Sequence, residues 1–257
     1  MAGALDGIRV VDQTQVMAGP FASMLLADMG ADVIKVEPPE GEHARHVGLE
    51  IAPGVGASFL AVNRGKKGMT LDLKQPDGVA VLKRLVATAD VLVENYRPGV
   101  AARLGVDYDT LAAVNRRLIY CSVSGFGQDG PYRDRAALDL ILQAESGMIS
   151  VTGEEGGRGV RAGTSIADMT AGMYAAFGIM LALRVKERTG RGQAIDVSML
   201  EGQMSLLGTM IGGFLADGEL PAPMGTAYKA LLPYQTFRTR TRDLALAVGS
   251  EKLWQIF

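Results

Sequence analysis

The chain has 257 residues, of which 48% are hydrophobic and 21% charged, a composition typical of a soluble globular protein with enough apolar material for a core. Its 26 basic and 28 acidic side chains give a formal net charge of -2, so nucleic-acid and membrane-surface partners are not expected, and a polyanionic ligand would need a local basic site. The single cysteine, Cys121, excludes an intramolecular disulfide and a CxxC motif; because the N-terminus also lacks a secretory pattern, we expect a cytoplasmic location.

The first forty residues carry the pattern of a β-α-β unit. Residues 8–12 form a β-branched run that predicts a strand, and residues 21–29, just after Pro20, predict a helix. Gly30 fits the position past the helix end, and residues 32–36 predict a second strand. A strand, helix and strand in this order are expected to bring two parallel strands together.

The same alternation continues along the chain. Further strands are predicted at residues 69–73, 90–94, 118–124 and 194–198, and helices at residues 77–88, 109–115, 169–188 and 200–215. The apolar run at residues 169–185 is short for a bilayer span and contains Gly172 and Gly178, so a buried helix is preferred over a membrane segment. Strands alternating with helices predict an α/β fold with a Rossmann-like, mainly parallel sheet and flanking helices.

The predicted domain organisation is a large α/β domain at residues 1–217, followed at residues 218–257 by a linker and the beginning of a smaller domain. Proline and glycine are frequent between residues 218 and 233, which is typical of a connection. The last seven residues, EKLWQIF, have the apolar spacing of a helix that is just starting, and an exposed Trp-Ile-Phe end is unfavourable. We therefore expect the chain to be truncated at its C-terminus.

Several common site chemistries lack their sequence signatures. The segment TQVMAGP stands where a dinucleotide-binding fold would have GxGxxG, and no GxxxxGK[ST] or GxSxG motif is present. His43 and His46 share one charged loop without a third ligand-type cluster, so solvated loop residues are preferred over a metal site, and a Ser-His-Asp triad is disfavoured. We expect no metal and no tightly bound cofactor.

Eight segments, in order along the chain, carry a resemblance to one family. They are DQTQVMAGP, GADVIKVEPP, NRGKKGMTLDLK, ADVLVENYRPG, RLIYCSVSGFGQDGPY, DLILQAESG, ADMTAGMYAAFGIMLAL and RTGRGQAIDVSMLEG. In their number, order and spacing, the chain resembles the class III CoA-transferases, the family of formyl-CoA transferase, carnitine CoA-transferase and 2-methylacyl-CoA racemase. The resemblance implies transfer of coenzyme A from an acyl-CoA substrate to a small carboxylic acid by a homodimer, whose subunits are interlocked if the full-length protein is longer than this chain.

The family's nucleophile is an aspartate before a long helix, and the matching residue is Asp168 in SIADMTAG. An aspartate at a helix start accepts hydrogen bonds from free backbone N–H groups and lies at the positive end of the helix dipole, so we expect Asp168 to be held anionic, as attack on a thioester requires. The resemblance implies a mixed anhydride and then an aspartyl-CoA thioester, with backbone N–H groups near the VMA turn as donors to the attacked carbonyl. The alternative is that Asp168 only caps the helix.

The resemblance also implies a set of CoA-binding positions. They are Val16, Met17, Ala18, Leu71, Asp72, Leu73, Lys74, Asn95, Tyr96, Arg97 and Arg103. The cations Lys74, Arg97 and Arg103 are suited to the nucleotide phosphates, with plain surface solvation as the alternative. The chain departs from formyl-CoA transferase at Pro38 and Ala136, where that enzyme has basic residues, which argues against formyl-CoA or oxalate as substrate.

Two alternatives to CoA transfer remain. A 2-methylacyl-CoA racemase needs two acid–base groups, one of them a histidine, and this chain has Leu138 before Asp139 where the racemase branch has that histidine. Transfer is therefore preferred, and Asp139 is left with a substrate-positioning role or that of a helix cap. The second alternative is a non-catalytic, truncated CoA-binding remnant, because members of the family are considerably longer than this chain.

Overall fold

The computed structural model describes residues 3–257. Their strands are β1 (Arg9–Gln13), β2 (Asp32–Glu37), β3 (Glu50–Ala52), β4 (Val55–Gly56), β5 (Lys67–Thr70), β6 (Val91–Glu94), β7 (Ile119–Ser124), β8 (Ala194–Ser198), β9 (Tyr234–Arg238) and β10 (Asp243–Ala247). The α-helices are α1 (Ala18–Asp28), α2 (Ala57–Ala61), α3 (Pro76–Val86), α4 (Val100–Leu104), α5 (Tyr108–Val114), α6 (Asp139–Glu145), α7 (Met148–Val151), α8 (Ile166–Thr189), α9 (Met199–Ser205), α10 (Gly208–Asp217) and α11 (Glu251–Ile256). A short 3-10 helix lies at His43–His46.

The main sheet has six parallel strands in the order β5-β2-β1-β6-β7-β8. The predicted Rossmann-like parallel sheet with flanking helices is therefore confirmed. Strand β1 lies inside the sheet, paired with β2 on one side and β6 on the other, so the strand order reverses direction at β1. In open α/β folds, ligands bind outside the carboxyl ends of the strands at such a point.

Helices cover both faces of this sheet. One core, which includes Val10 and Val91, lies against helices α1 and α8, and the other, which includes Val11 and Leu92, lies against α3 and α5. Successive residues of a strand point to opposite faces, so a strand covered on both sides is apolar without alternation. Strand β6 is accordingly buried at every position.

Helices α1 and α8 pack closely. A Cβ atom on Gly172 would lie 2.7 Å from the Ala18 carbonyl oxygen and 2.8 Å from Phe21 Cδ1, so the approach of the two helices requires glycine at this position. Each helix leads into a parallel strand of the same sheet, and both therefore start at its carboxyl edge. The second turn of α8, which contains Gly172, lies beside the start of α1, so the first turn of α8 lies next to the loop that precedes α1.

The long apolar helix predicted from residue 169 begins earlier, at Ile166, which places Asp168 inside its first turn. Among the described residues, α8 is the helix long and apolar enough to cross a membrane, and half of that stretch is buried within the fold. Core helices of water-soluble proteins have the same property. The strand predicted at residues 69–73 ends at Thr70, so the LDLK segment lies in the loop that follows β5.

The helix predicted at residues 200–215 is interrupted, forming α9 and α10. Leu207 is buried and donates its N–H group to the Met204 carbonyl in a turn. The next residue, Gly208, has a low helix propensity, so a continuous helix through this point would be poorly stabilised.

Contacts divide the described residues into two compact units. The first comprises residues 3–142 and 165–203 and contains the six-stranded sheet. The second comprises residues 143–164 and 204–257 and contains the antiparallel pair β9 and β10. The boundary predicted after residue 217 falls inside the second unit, and the assignment of two domains stays a prediction.

Candidate active site

The carboxyl edge of the sheet joins two loops. Strand β1 is followed by residues 14–17, here called the 14–17 turn, and strand β6 is followed by Asn95. The Asn95 side chain accepts a hydrogen bond from the Gln15 N–H group and donates one to the Gln15 carbonyl, both at 2.8 Å. Asn95 therefore fixes the 14–17 turn against the end of the neighbouring strand.

Val16 adopts a strained backbone conformation in this turn. Its φ is 68°, and it is the non-glycine residue with positive φ among the described residues. A β-branched residue avoids this left-handed region, and such strain persists only where the surroundings enforce it. The Val16 N–H group donates to Glu42 Oε2 at 2.7 Å, so this N–H group is not free to act as an oxyanion donor. Met17 follows and leads into α1, whose first N–H groups have no partner within the helix.

Asp168 is the third residue of α8, and it does not cap the helix. Ser165 occupies the N-cap position without a side-chain hydrogen bond. The cap is supplied from a distance by Asp139, whose Oδ1 accepts from the Ala167 N–H at 2.8 Å and from the Asp168 N–H at 3.4 Å. Asp139 therefore caps α8, and its predicted role in positioning the substrate stays a prediction.

The expectation that Asp168 is held anionic by the helix start is wrong. Burial of its half-buried carboxyl group, and secondarily the negative charge of Asp139, raise the pKa of Asp168 to about 7. Both effects favour the neutral acid. A carboxyl group with a pKa near 7 is ionised only in part at neutral pH. Such a shift is typical of functional sites.

Asp168 faces the start of α1. It lies four residues before Gly172, and residues at this spacing share one side of a helix. Since Gly172 contacts Ala18, Asp168 lies one helical turn closer to the 14–17 turn. The structure therefore brings Asp168 and the predicted positions Val16, Met17 and Ala18 to the same edge of the sheet.

A groove runs along this edge, away from α8. One hollow of about 580 Å³ is lined by Leu71, Asp72, Leu73, Lys74 and Tyr96, together with Gln15, both histidines and residues 36–42. A second hollow of about 420 Å³ shares Leu73, Lys74 and Leu104 with the first, and Arg103 and Lys83 also line it. The two hollows adjoin through these shared residues and are together called the groove; its outer end is lined by Lys74, Lys83 and Arg103. Such a shape and charge suit an elongated ligand with phosphate groups.

Comparisons with known proteins identify the family. The model of CoA-transferase family III matches residues 5–257. The chain belongs to CoA-transferase family III. The succinate–glutarate CoA-transferase of Agrobacterium fabrum is 44% identical over 254 residues, covering 96% of this chain and 64% of the relative. The acetyl-CoA:oxalate CoA-transferase of Acetobacter aceti is 41% identical, covering 98% of this chain and 65% of the relative.

Solved structures agree with this assignment. A CAIB/BAIF family protein from Brucella suis has a TM-score of 0.91 and 39% sequence identity, and the match covers 97% of this chain and 67% of that one. The present chain thus spans just under two thirds of the length of the two curated relatives. Its membership of CoA-transferase family III rests on the matched part.

The predicted CoA-binding positions of this family III chain fall into three groups. Five of them line the inner hollow, and Arg103 lines the outer one. Val16, Met17, Ala18 and Asn95 belong to the 14–17 turn and its support. Arg97 is exposed and lines neither hollow.

Lys83 and Glu94 are among the residues of the site that were not predicted from the sequence. Lys83 lies on α3, four residues after Val79, which lines the same hollow, so the helical spacing was an available signal. Glu94 ends β6 and is buried, and its Oε2 accepts from the Tyr96 N–H at 2.7 Å. Burial, together with Asp196, raises the pKa of Glu94 to about 7. A buried acid at a strand end has no local sequence signature.

Proposed function

We propose that this chain supplies the CoA-binding and nucleophilic parts of a CoA-transferase, which moves coenzyme A from an acyl-CoA to a carboxylic acid through an aspartyl-CoA intermediate at Asp168. The observation that carries the proposal is the position of Asp168, half-buried at the carboxyl edge of the sheet beside the start of α1, with a pKa raised to about 7. Raised basicity makes the ionised carboxylate a stronger nucleophile.

The proposed reaction is a series of acyl exchanges. The Asp168 carboxylate attacks the thioester carbonyl, which breaks the carbon–sulfur bond and gives a mixed anhydride and CoA thiolate. The thiolate then attacks the Asp168 carbonyl of the anhydride, which releases the donor carboxylate and leaves an aspartyl-CoA thioester. The acceptor carboxylate attacks this thioester to give a second anhydride and the thiolate. Attack of the thiolate on the acceptor carbonyl yields the new acyl-CoA and restores Asp168.

Free N–H groups at the start of α1 are the proposed donors to the attacked carbonyl. The helix dipole favours negative charge at this position, and fixed donors of this kind stabilise a tetrahedral intermediate without reorganisation. The family membership and the position of Asp168 on the adjacent helix face support this assignment.

The groove is the proposed site of the CoA nucleotide. Lys74, Lys83 and Arg103 would pair with its phosphates, and the ring of Tyr96 is placed to contact the adenine or the pantetheine arm. The names of the two curated relatives, with succinate, glutarate and oxalate, support a short dicarboxylic acid as acceptor. The Acetobacter aceti name weighs against the predicted exclusion of oxalate, and the rates of transfer from succinyl-CoA to oxalate and to glutarate, measured side by side, decide between the two acceptors.

A homodimer is also proposed, and a stripe of exposed apolar side chains on α8 supports it. Met173, Phe177, Leu181 and Val185 recur every four residues, and each is more than two fifths exposed. A continuous apolar stripe of this kind marks an interface. We expect Phe177→Asp to lower the sedimentation coefficient from that of a dimer to that of a monomer; Glu187→Asp, on the exposed part of the same helix, is the control.

Trapping of the intermediate tests the proposed function. The protein is incubated with succinyl-CoA, treated with hydroxylamine, and digested for mass spectrometry, which should find a hydroxamate at Asp168. Asp168→Ala should abolish the adduct and reduce transfer by several orders of magnitude. Asp109→Asn is the matched control, because Asp109 also lies in the first turn of a helix but is exposed. Transfer that survives in a folded Asp168→Ala protein would overturn the assignment.

A further inference from the structure

The strained Val16 backbone is held by a buried charged side chain that belongs to neither β1 nor α1. Glu42 is 2% exposed, and its Oε2 accepts the Val16 N–H at 2.7 Å. A hydrogen bond from a backbone N–H to an anionic carboxylate is among the stronger ones in proteins. The residue that enforces the unusual φ of Val16 therefore lies 26 positions further along the chain.

Glu42 is itself fixed from two sides. Lys35 Nζ lies 2.9 Å from Glu42 Oε1, and its hydrogen bond goes to the Thr14 carbonyl, also at 2.9 Å. Lys35 thus neutralises Glu42 and at the same time holds the first residue of the 14–17 turn. The Glu42 N–H group donates to Glu37 Oε2 at 3.1 Å, and Glu37 is in turn paired with Arg45.

Val16 controls the direction of the peptide that follows it. Rotation of its φ to the unstrained negative region would reorient the Met17 N–H group and the start of α1 relative to Asp168. Because the first N–H groups of α1 are free, their direction at the site depends on the conformation of Val16. Removal of the Glu42 carboxylate also takes away the fixed acceptor of the Val16 N–H group, so that the strained conformation is no longer enforced and such a rotation is favoured.

We infer that Glu42, with Lys35 as its counter-ion, is a positioning residue that keeps the 14–17 turn and the first N–H groups of α1 aimed at the carbonyl attacked by Asp168. This inference rests on the proposed function. Glu42 lines the inner hollow of the groove, but its carboxylate is engaged by Val16 and Lys35. Its effect is therefore on the transition state rather than on the affinity for the CoA nucleotide, whose phosphates meet Lys74, Lys83 and Arg103.

Kinetics of Glu42→Ala, with succinyl-CoA and glutarate as substrates, test the inference. We expect kcat to fall on the order of 100-fold, as a misplaced catalytic group does. The KM for succinyl-CoA and the calorimetric Kd for free CoA should change by less than about threefold, because the substrate is still bound. Glu42→Gln keeps an oxygen that can accept the Val16 N–H, and it should recover about tenfold of the lost kcat.

Lys186→Met is the matched control. It also removes an ion pair with a buried lysine, between Lys186 and the partly exposed Asp90 at 2.8 Å, but at the amino end of β6. Its kcat should stay near that of the wild type. Hydrogen-exchange mass spectrometry of peptides covering residues 13–20 should show faster exchange in Glu42→Ala and unchanged exchange in Lys186→Met.

Three outcomes separate the possibilities. The inference is overturned if Glu42→Ala lowers kcat no more than Lys186→Met does, or if it raises KM and leaves kcat unchanged. If Glu42→Ala does not fold, the test uses Glu42→Gln instead. The inference is then overturned if Glu42→Gln keeps the wild-type kcat although the amides of residues 13–20 exchange faster than in the wild type. If the wild-type chain forms no adduct at Asp168, the proposed function fails, and the exchange data then decide whether Glu42 fixes the 14–17 turn.

Discussion

Replacement of Asp168 by asparagine should stabilise the protein at alkaline pH and leave its stability unchanged in acid. The fold raises the pKa of Asp168 from the usual 3.8 to about 7, so the native state holds this proton more tightly than the unfolded chain does. Stability contributed by the protonated carboxyl group is present below pH 3.8 and is lost as the pH rises to about 7. Asparagine is neutral throughout and avoids that loss.

The magnitude follows from the pKa difference. At about 1.36 kcal/mol for each pKa unit, ionisation of Asp168 in the fold costs at most about 4 kcal/mol. Water reaches a half-buried side chain, and an amide also loses hydration on burial, so we expect a net gain of about 2 kcal/mol for Asp168→Asn at pH 8. In a chain of this size, that gain corresponds to a melting temperature roughly 4–8 °C higher.

Thermal or urea unfolding of Asp168→Asn and of wild type at pH 4 and pH 8 measures the effect, with Asp109→Asn as control. A residue that only capped α8 would behave differently, since loss of a cap costs about 1 kcal/mol at any pH at which the carboxylate is ionised. If Asp168→Asn were less stable than wild type at pH 8, or equally more stable at both pH values, the electrostatic reasoning about Asp168 would be refuted.

Two further predictions concern catalysis and binding. The transfer rate should rise about tenfold per pH unit up to a midpoint near pH 7 and then level off. Asp139→Asn removes a like charge but keeps an oxygen for the Ala167 N–H, so it should move the midpoint of the pH–rate profile to lower pH. An unmoved midpoint would exclude Asp139 as a cause of the raised pKa of Asp168. Lys83→Ala and Arg103→Ala should each weaken CoA binding about tenfold at low salt and less at high salt. Lys67→Ala, which removes the ion pair with Asp32 outside the groove, should leave CoA binding unchanged. Calorimetry at two ionic strengths measures these affinities, and a variant with unchanged affinity would show that the replaced residue does not bind the phosphates.

The fold could be predicted from the sequence because its signals are local. Strands such as β6 and β7 are buried on both faces and are therefore apolar at most positions, with turn residues between them and the helices. The break between α9 and α10 escaped prediction, since both sides of Leu207 have helical spacing and only its burial shows that the chain turns there. The bounds of β5 were misplaced by two and three residues and the start of α8 by three, because the ends of elements are the least well specified by local patterns.

The site was predictable in its location and not in its electrostatics. The position of Asp168 follows from its segment, but its raised pKa depends on burial and on Asp139, which is 29 residues away in sequence. The local argument from the helix start had the wrong sign. The contact between Glu42 and Val16 likewise spans 26 residues, and no local sequence pattern at either residue predicts it. Contacts between residues that are distant in the sequence determine the pKa values and the backbone geometry of the site, whereas local segments determine the helices and strands.

The two ends of the sheet differ in what their buried charges achieve. At the amino end, Lys186 and Asp90 form a pair that joins α8 to β6 and accompanies no strained backbone. At the carboxyl end, Lys35 and Glu42 bind a strained turn. Burial there also raises the pKa of Asp168 and so disfavours its ionised form. A buried ion pair is a weak source of stability, since well-packed apolar residues often serve as well. The Lys35 and Glu42 pair is better explained by the geometry of Val16, because an apolar replacement could fill the space but could not accept the Val16 N–H group.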